Sequence, residues 1–199
     1  MTKSLRAELL IVLTLTFGIS GVRAVLNLIN SLAAPQRLDE QSVTLNSSQS
    51  SLAWVDMGLQ LCSAAVLFSY GALALFLLAK DRFVPRAHRA RDWLEGAGLA
   101  ALIGIPGLAL YFAAVHLGWS KEVIPGDFAN AWVEIPVSLL KAGANAFAEE
   151  TVVVMWLMTR LRQARWSLPA ALAASSILRG SYHLYQGVSA GFGLSLIHI

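Results

Sequence analysis

Apolar residues in this chain gather into long blocks instead of the short alternations of a water-soluble core. Four blocks, around residues 9–29, 59–79, 94–117 and 132–159, can each cross about 30 Å of hydrocarbon, which takes roughly 20 residues at a rise of about 1.5 Å. A more polar fifth block covers residues 169–187. The pattern predicts an all-α fold, a polytopic membrane helical bundle of about five transmembrane helices, with the lipid bilayer as its first partner. Composition agrees, with 56% hydrophobic and 14% charged residues and a mean hydropathy of +0.61. The single cysteine, Cys62, lies inside the second block and reads as a small buried hydrophobe, so no disulfide framework exists.

Net charge is +3, and its distribution carries topology. Ten of the fifteen Lys and Arg residues fall on one side if every block crosses: Lys3 and Arg6; Lys80, Arg82, Arg86, Arg89 and Arg91; Arg160, Arg162 and Arg165. The opposite loops, 31–53 and 118–130, hold only Arg37 and Lys121. The positive-inside rule then predicts a multi-pass protein of the cell membrane with a cytoplasmic N-terminus. The basic stretch "DRFVPRAHRAR" has no aromatic interleaving, so no nucleic-acid partner is expected. The first block, with a basic start and the small residues "SLAAP" after it, is too long for a cleaved leader and contains Arg23, so it reads as an uncleaved anchor. The polar loop at 38–51 reads as exposed on the outer side.

The chemistry concentrates in the last two blocks. A carboxylate at mid-bilayer costs roughly 2.5–3.5 kcal/mol, so a helix keeps one only where it faces protein or a watery cavity. Glu134, Ser138, Lys141, Asn145 and Glu149 follow steps of four, three, four and four, one helical face, and Glu150 lies about 100° round from it. Lys141 and Asn145 could satisfy Glu149 in a purely structural network. Two adjacent acids argue for more, because they do not both ionise easily and one is poised to accept a proton. In the fifth block Ser167 can cap, Pro169 suits the first turn, and Ser175 or Ser176, Arg179, Tyr182 or His183, and Gln186 form a second stripe. Counted from the cytoplasmic ends, Glu149 lies about 16 Å deep and His183 about 20 Å deep. A carboxylate and an imidazole facing each other at similar depth can polarise one water, as peptide hydrolysis requires.

The pair Glu149–Glu150 late in one apolar block, followed by His183 in the next, resembles the membrane-embedded CAAX prenyl proteases and their bacterial relatives, the CPBP or abortive-infection family. The resemblance covers residues 146–193. It implies an intramembrane endopeptidase that cuts near the C-terminus of a lipidated or membrane-associated protein or peptide. It also implies that Glu149 is the base, Glu150 its orienting neighbour and His183 the partner; Arg179, Asn145 and Tyr182, read from the two polar stripes, are expected to support them. Val154 stands where the family's EExxxR motif has arginine, and Arg179 stands where its FxxxH motif has phenylalanine. An arginine moved to the facing helix would pair with Glu150 instead. The family's third motif, HxxxN or HxxxD, is missing before Ile199.

The ending "LSLIHI" corresponds to a transposon end used in sequencing libraries, so a membrane protease domain over residues 1–193 and a non-native tail over 194–199 are expected, with no role for His198 and a truncated chain that is itself inactive. His88 reads as solvated, His116 as interfacial, and "IGIPG" at 103–107 as a kink that shapes a cavity. No cofactor is expected; glutamate and histidine are zinc ligands, but the adjacent acids diverge on the helix, so no metal site is expected. Two other readings stay open: an ion- or proton-coupled transporter fragment using Glu134, Lys141, Glu149, Arg179 and His183, and a non-catalytic bacteriocin-immunity-type membrane protein.

Overall fold

A computed structural model describes residues 2–81, 89–125 and 131–196. Among the described residues three helices are long and apolar enough to cross a membrane: α1 (Lys3–Ala33), α2 (Ala53–Ala79) and α3 (Ala90–His116). Helix α4 covers residues 131–163 in three pieces, an α segment Ala131–Glu149, a π segment Glu150–Trp156 and an α segment Leu157–Gln163. Helix α5 is Leu168–His183 and α6 is Val188–Leu196. Of the sequence-predicted features, Arg82, Arg86, His88, His198 and the last residues of the second outer loop lie outside the described residues.

The core lies where α1, α2, α4 and α5 meet. Leu9, Val12, Phe17, Ala74, Leu78, Val152, Val153, Trp156 and Ala171 are buried there in one cluster. Lipid gives no hydrophobic drive between helices, so they associate through close packing, which small residues permit. Gly21 shows this: a β-carbon there would stand 2.5 Å from Ser181 Oγ, so glycine lets α1 lie close against the C-terminal end of α5 without displacing that side chain. Large apolar side chains such as Leu94, Leu102, Ile105 and Phe112 are exposed, as a lipid-facing surface requires.

Several expectations are corrected. The fifth helix stops at His183 and not at residue 187: a 3₁₀ turn, Leu184–Gln186, leads to Gly187 at φ 130°, and α6 then runs back against α5. Pro106 sits within a continuous α3 whose one buried residue among those described is Ala114, so the proline does not shape the cavity. Cys62 is exposed, because α2 turns Gln60, Ala64, Gly71, Ala74 and Leu78 inward and leaves Cys62 on the outer face. The 38–51 loop is more than a solvated tether. It buries Leu38 and pairs β1 (Ser42–Leu45) in parallel with β2 (Glu122–Pro125), with Ser42 opposite Glu122.

The two ends of the bundle differ. At one end Arg160 is buried, with Nε 2.6 Å from Glu8 Oε1, Nη1 paired with Asp81, and Nη2 donating to the Leu77 carbonyl at 3.0 Å. Trp156 Nε1 donates to the same Glu8 oxygen at 3.0 Å. Arg160 is therefore a tie between α1, α2 and α4, and not merely a loop charge. At the other end Ser120 Oγ donates to the Gln186 carbonyl at 3.1 Å and Lys121 N to the same carbonyl at 2.9 Å, clamping the turn that follows His183. This removes Gln186 from the predicted polar stripe of the fifth helix.

Candidate active site

Glu149 is the last residue of the first α segment of α4, and Glu150 opens the π segment. A π turn frees backbone carbonyls from the ordinary ladder, and here side chains take them up. Thr151 Oγ1 donates to the Phe147 carbonyl at 2.6 Å, and Ser175 Oγ reaches from α5 to the Val153 carbonyl at 2.8 Å. A second π segment, Thr14–Gly18 in α1, lies beside the same space, with Thr16 Oγ1 donating to the Val12 carbonyl at 2.7 Å. Neither π turn was anticipated from the sequence. The hints available were hydroxyl residues and the β-branched run Val152, Val153 and Val154, which crowd a regular helix.

The wider turn sets the two acids apart. Glu149 is buried at 4% exposure, whereas the Glu150 side chain is 54% exposed. Arg179 of α5 bridges them: Nη2 is 2.9 Å from Glu149 Oε2 and Nη1 is 3.2 Å from Glu150 Oε1. A shared cation therefore offsets the repulsion between the acids, and their mutual repulsion is not the dominant feature of the pair. The other oxygen, Glu149 Oε1, accepts a hydrogen bond from Asn145 Nδ2 at 2.6 Å and lies 3.8 Å from His183 Nε2. That separation is too long for a direct hydrogen bond and suits one bridging water.

Tyr182 is buried in the same place, its ring tilted on Phe17 at 4.8 Å and on His183 at 4.7 Å between centroids. Among the described residues its hydroxyl and His183 Nδ1 are buried with no hydrogen-bond partner. The structure thus brings Glu149, Glu150, Asn145, Arg179, Tyr182 and His183 together from α4 and α5. Lys141 is not part of that network: its Nζ donates to Gln60 Oε1 of α2 at 2.8 Å. Glu134 and Ser138 are half-buried further along α4, and Ser175 and Ser176 are buried inside α5.

A cavity of about 460 Å³ opens on the group, lined by Thr16, Phe17, Tyr70, Asn145, Glu149 and His183 among others. Thr44, Leu45 and Asn46 also line it, so β1 and the turn after it cover the cavity from the loop end. Sequence reasoning gave those residues no role, since nothing in a short polar loop signals what it covers. Among the described residues, no group of three or more His, Cys, Asp or Glu side chains is placed to hold a metal ion.

Residues 130–199, about a third of the chain and the part that holds α4, α5 and α6, match the family model described as Type II CAAX prenyl endopeptidase Rce1-like. This match and the resemblance carried by Glu149, Glu150 and His183 point to the same family. No curated protein and no solved structure matches the chain.

Proposed function

We propose that the protein is an intramembrane endopeptidase that hydrolyses a peptide bond near the C-terminus of a lipidated or membrane-associated polypeptide. The observation that carries the reading is the 3.8 Å gap between Glu149 Oε1 and His183 Nε2, inside a cavity walled by helices. In this reading a water held between the two loses a proton to Glu149 as its oxygen attacks the scissile carbonyl. The tetrahedral intermediate collapses with cleavage of the C–N bond, and the departing amine takes the proton back from Glu149. Asn145 and Arg179 fix the carboxylate so that one oxygen faces the water while the other stays with the cation. Glu150, paired with Arg179 but turned outward, positions the arginine.

The match to the prenyl endopeptidase family supports the protease class, and the buried group supports these residues as its machinery. We place the protein in the cell membrane with the Arg160 end cytoplasmic, because Lys3, Arg6, Lys80 and Arg162 gather at that end. The ion-path reading has less support: Lys141 bonds Gln60, and Arg179 is committed to two carboxylates, so the titratable groups do not form a continuous relay.

The test is hydrolysis of a lipidated peptide by the protein reconstituted in vesicles. Glu149→Gln and His183→Ala are each expected to abolish turnover while helicity and melting temperature are kept. Undiminished cleavage by Glu149→Gln would overturn the assignment.

A further inference from the structure

The strands over the cavity carry a polar feature that the hydrolytic chemistry does not use. Glu122 N donates to the Gln41 carbonyl at 3.0 Å, and the parallel ladder sets Ser42 opposite Glu122 and Thr44 opposite Ile124. Parallel pairing alternates, so Val43 turns its backbone groups toward β2, while the N–H and C=O of Ser42 and Thr44 point to the other edge. The same alternation turns Lys121 and Val123 of the partner segment outward, and both amides are taken. Lys121 N donates to the Gln186 carbonyl at 2.9 Å, and Val123 N to the Tyr111 hydroxyl at 2.8 Å. The β1 edge has no such cover. Among the described residues no hydrogen bond engages the outward backbone groups of Ser42 and Thr44, and both residues are exposed.

This open edge is held in place. Before the strand, Gln41 Nε2 donates to the Ser31 carbonyl of α1 at 2.9 Å; after it, Gln60 Nε2 of α2 donates to the Ser47 carbonyl at 3.2 Å. β2 in turn is fixed through Ser120 and Lys121 to Gln186, three residues beyond His183. The strand that lines the cavity with Thr44 and Leu45 is therefore tied to the turn that follows the imidazole.

An open strand edge repeats its donors and acceptors every two residues, about 6.4–6.8 Å. A peptide that leaves water for a cavity among membrane helices needs partners for its own N–H and C=O groups, each costly to leave bare. A lipid chain has no such groups to offer, whereas an extended polypeptide carries both at the same repeat. Resting on the endopeptidase reading, we infer that β1 binds the substrate's main chain: a stretch flanking the scissile bond adds to the Ser42–Leu45 edge as a third strand. Recognition there follows the backbone and not the identity of side chains. The bound strand lies along a wall of the cavity that also holds Glu149 and His183.

The experiment uses lipidated peptides in which one amide at a time, outside the scissile bond, is replaced by an ester, which removes an N–H and keeps the side chain. With the protein in vesicles, KM is expected to rise about tenfold at amides two residues apart and to change little at those between them, because only alternate N–H groups of a strand face its neighbour. Thr44→Pro takes away an outward N–H and leaves the groups that pair with β2. It should raise KM by a similar factor and flatten the two-residue pattern while the melting temperature is kept. Mass spectrometry checks that the same bond is cut throughout. An even loss at every ester, no loss at any, or an unchanged KM and pattern in Thr44→Pro would each overturn the inference. If Thr44→Pro does not fold, the ester series on the unsubstituted protein still decides. Binding of the same peptides to the Glu149→Gln protein reads the strand without turnover and should show the same alternation. Alternation in binding with no hydrolysis by the unsubstituted protein would sink the endopeptidase reading and leave the strand site standing; hydrolysis without alternation would do the reverse.

Discussion

Arg179 Nη2 lies 2.9 Å from Glu149 Oε2, a contact made from the helix that follows the one carrying the acid. Through it, and through Nη1 on Glu150, a single guanidinium fixes the relative placement of α4 and α5 at the cavity. Removing it leaves a buried carboxylate without its cation. Arg179→Ala is expected to lower kcat by about 100-fold or more, and Arg179→Lys to recover little, since a point charge cannot replace the two-pronged fork. The double change Val154→Arg with Arg179→Phe should restore part of the activity by supplying the cation from α4; kinetics no better than those of Arg179→Ala would count against the compensation.

The two neighbouring acids differ in burial, and their substitutions should differ in kind. Glu150 is largely exposed and pairs with Arg179. Glu150→Gln weakens the hold on the guanidinium and is expected to reduce kcat about tenfold with the pH profile unchanged. Glu149→Gln is expected to remove turnover altogether. Equal losses in the two variants, measured on one peptide, would refute the division of roles.

Arg160 ties three helices at the opposite end, far from the chemistry. Arg160→Ala is expected to destabilise the fold by about 2–4 kcal/mol, toward the low side of a fully buried pair because Glu8 and Asp81 keep contact with solvent. The Arg160 guanidinium beside Asp81 holds that carboxyl below its ordinary range, more than burial raises it. A depressed folded value stabilises above the ordinary carboxylate pKa and loses that contribution as pH falls through the folded value. Melting temperatures followed from about pH 6 to pH 3 should therefore fall, and Asp81→Asn should flatten the curve.

Gly21 tests the close crossing of α1 and α5. Gly21→Ala drives a methyl against Ser181 Oγ, so it should lower both melting temperature and activity. Ser181→Ala in the same chain removes the obstructing oxygen and should recover much of the loss. Additive effects of the two changes in a double-mutant cycle would show that the contact is not what limits the packing.

Much of this was legible in the residues alone. Length and apolarity marked the membrane helices, because a bilayer demands about 20 apolar residues whatever they pack against. The expense of acids in hydrocarbon singled out Glu149, and the helical period placed Asn145 with it. Lys141 shares that period, yet its long stem carries the ammonium to Gln60, a choice made by a helix distant in sequence. Arg160 looked like a topological marker because loop charges are counted without regard to what faces them; Glu8 and Asp81, remote in sequence, make it a buried tie.

The π turns at Thr14–Gly18 and Glu150–Trp156 were not legible, since local propensity barely separates them from α-helix and the packing of neighbours decides. The same holds for the cover that Thr44, Leu45 and Asn46 lay over the cavity. Sequence by itself determined which segments are apolar enough to favour a membrane and which side chains are too polar to face lipid, because both follow from the cost of transfer into hydrocarbon, a property of each residue. Tertiary structure alone decided which polar group meets which, and at what distance, because side chains on different helices find one another only through packing that no single helix contains.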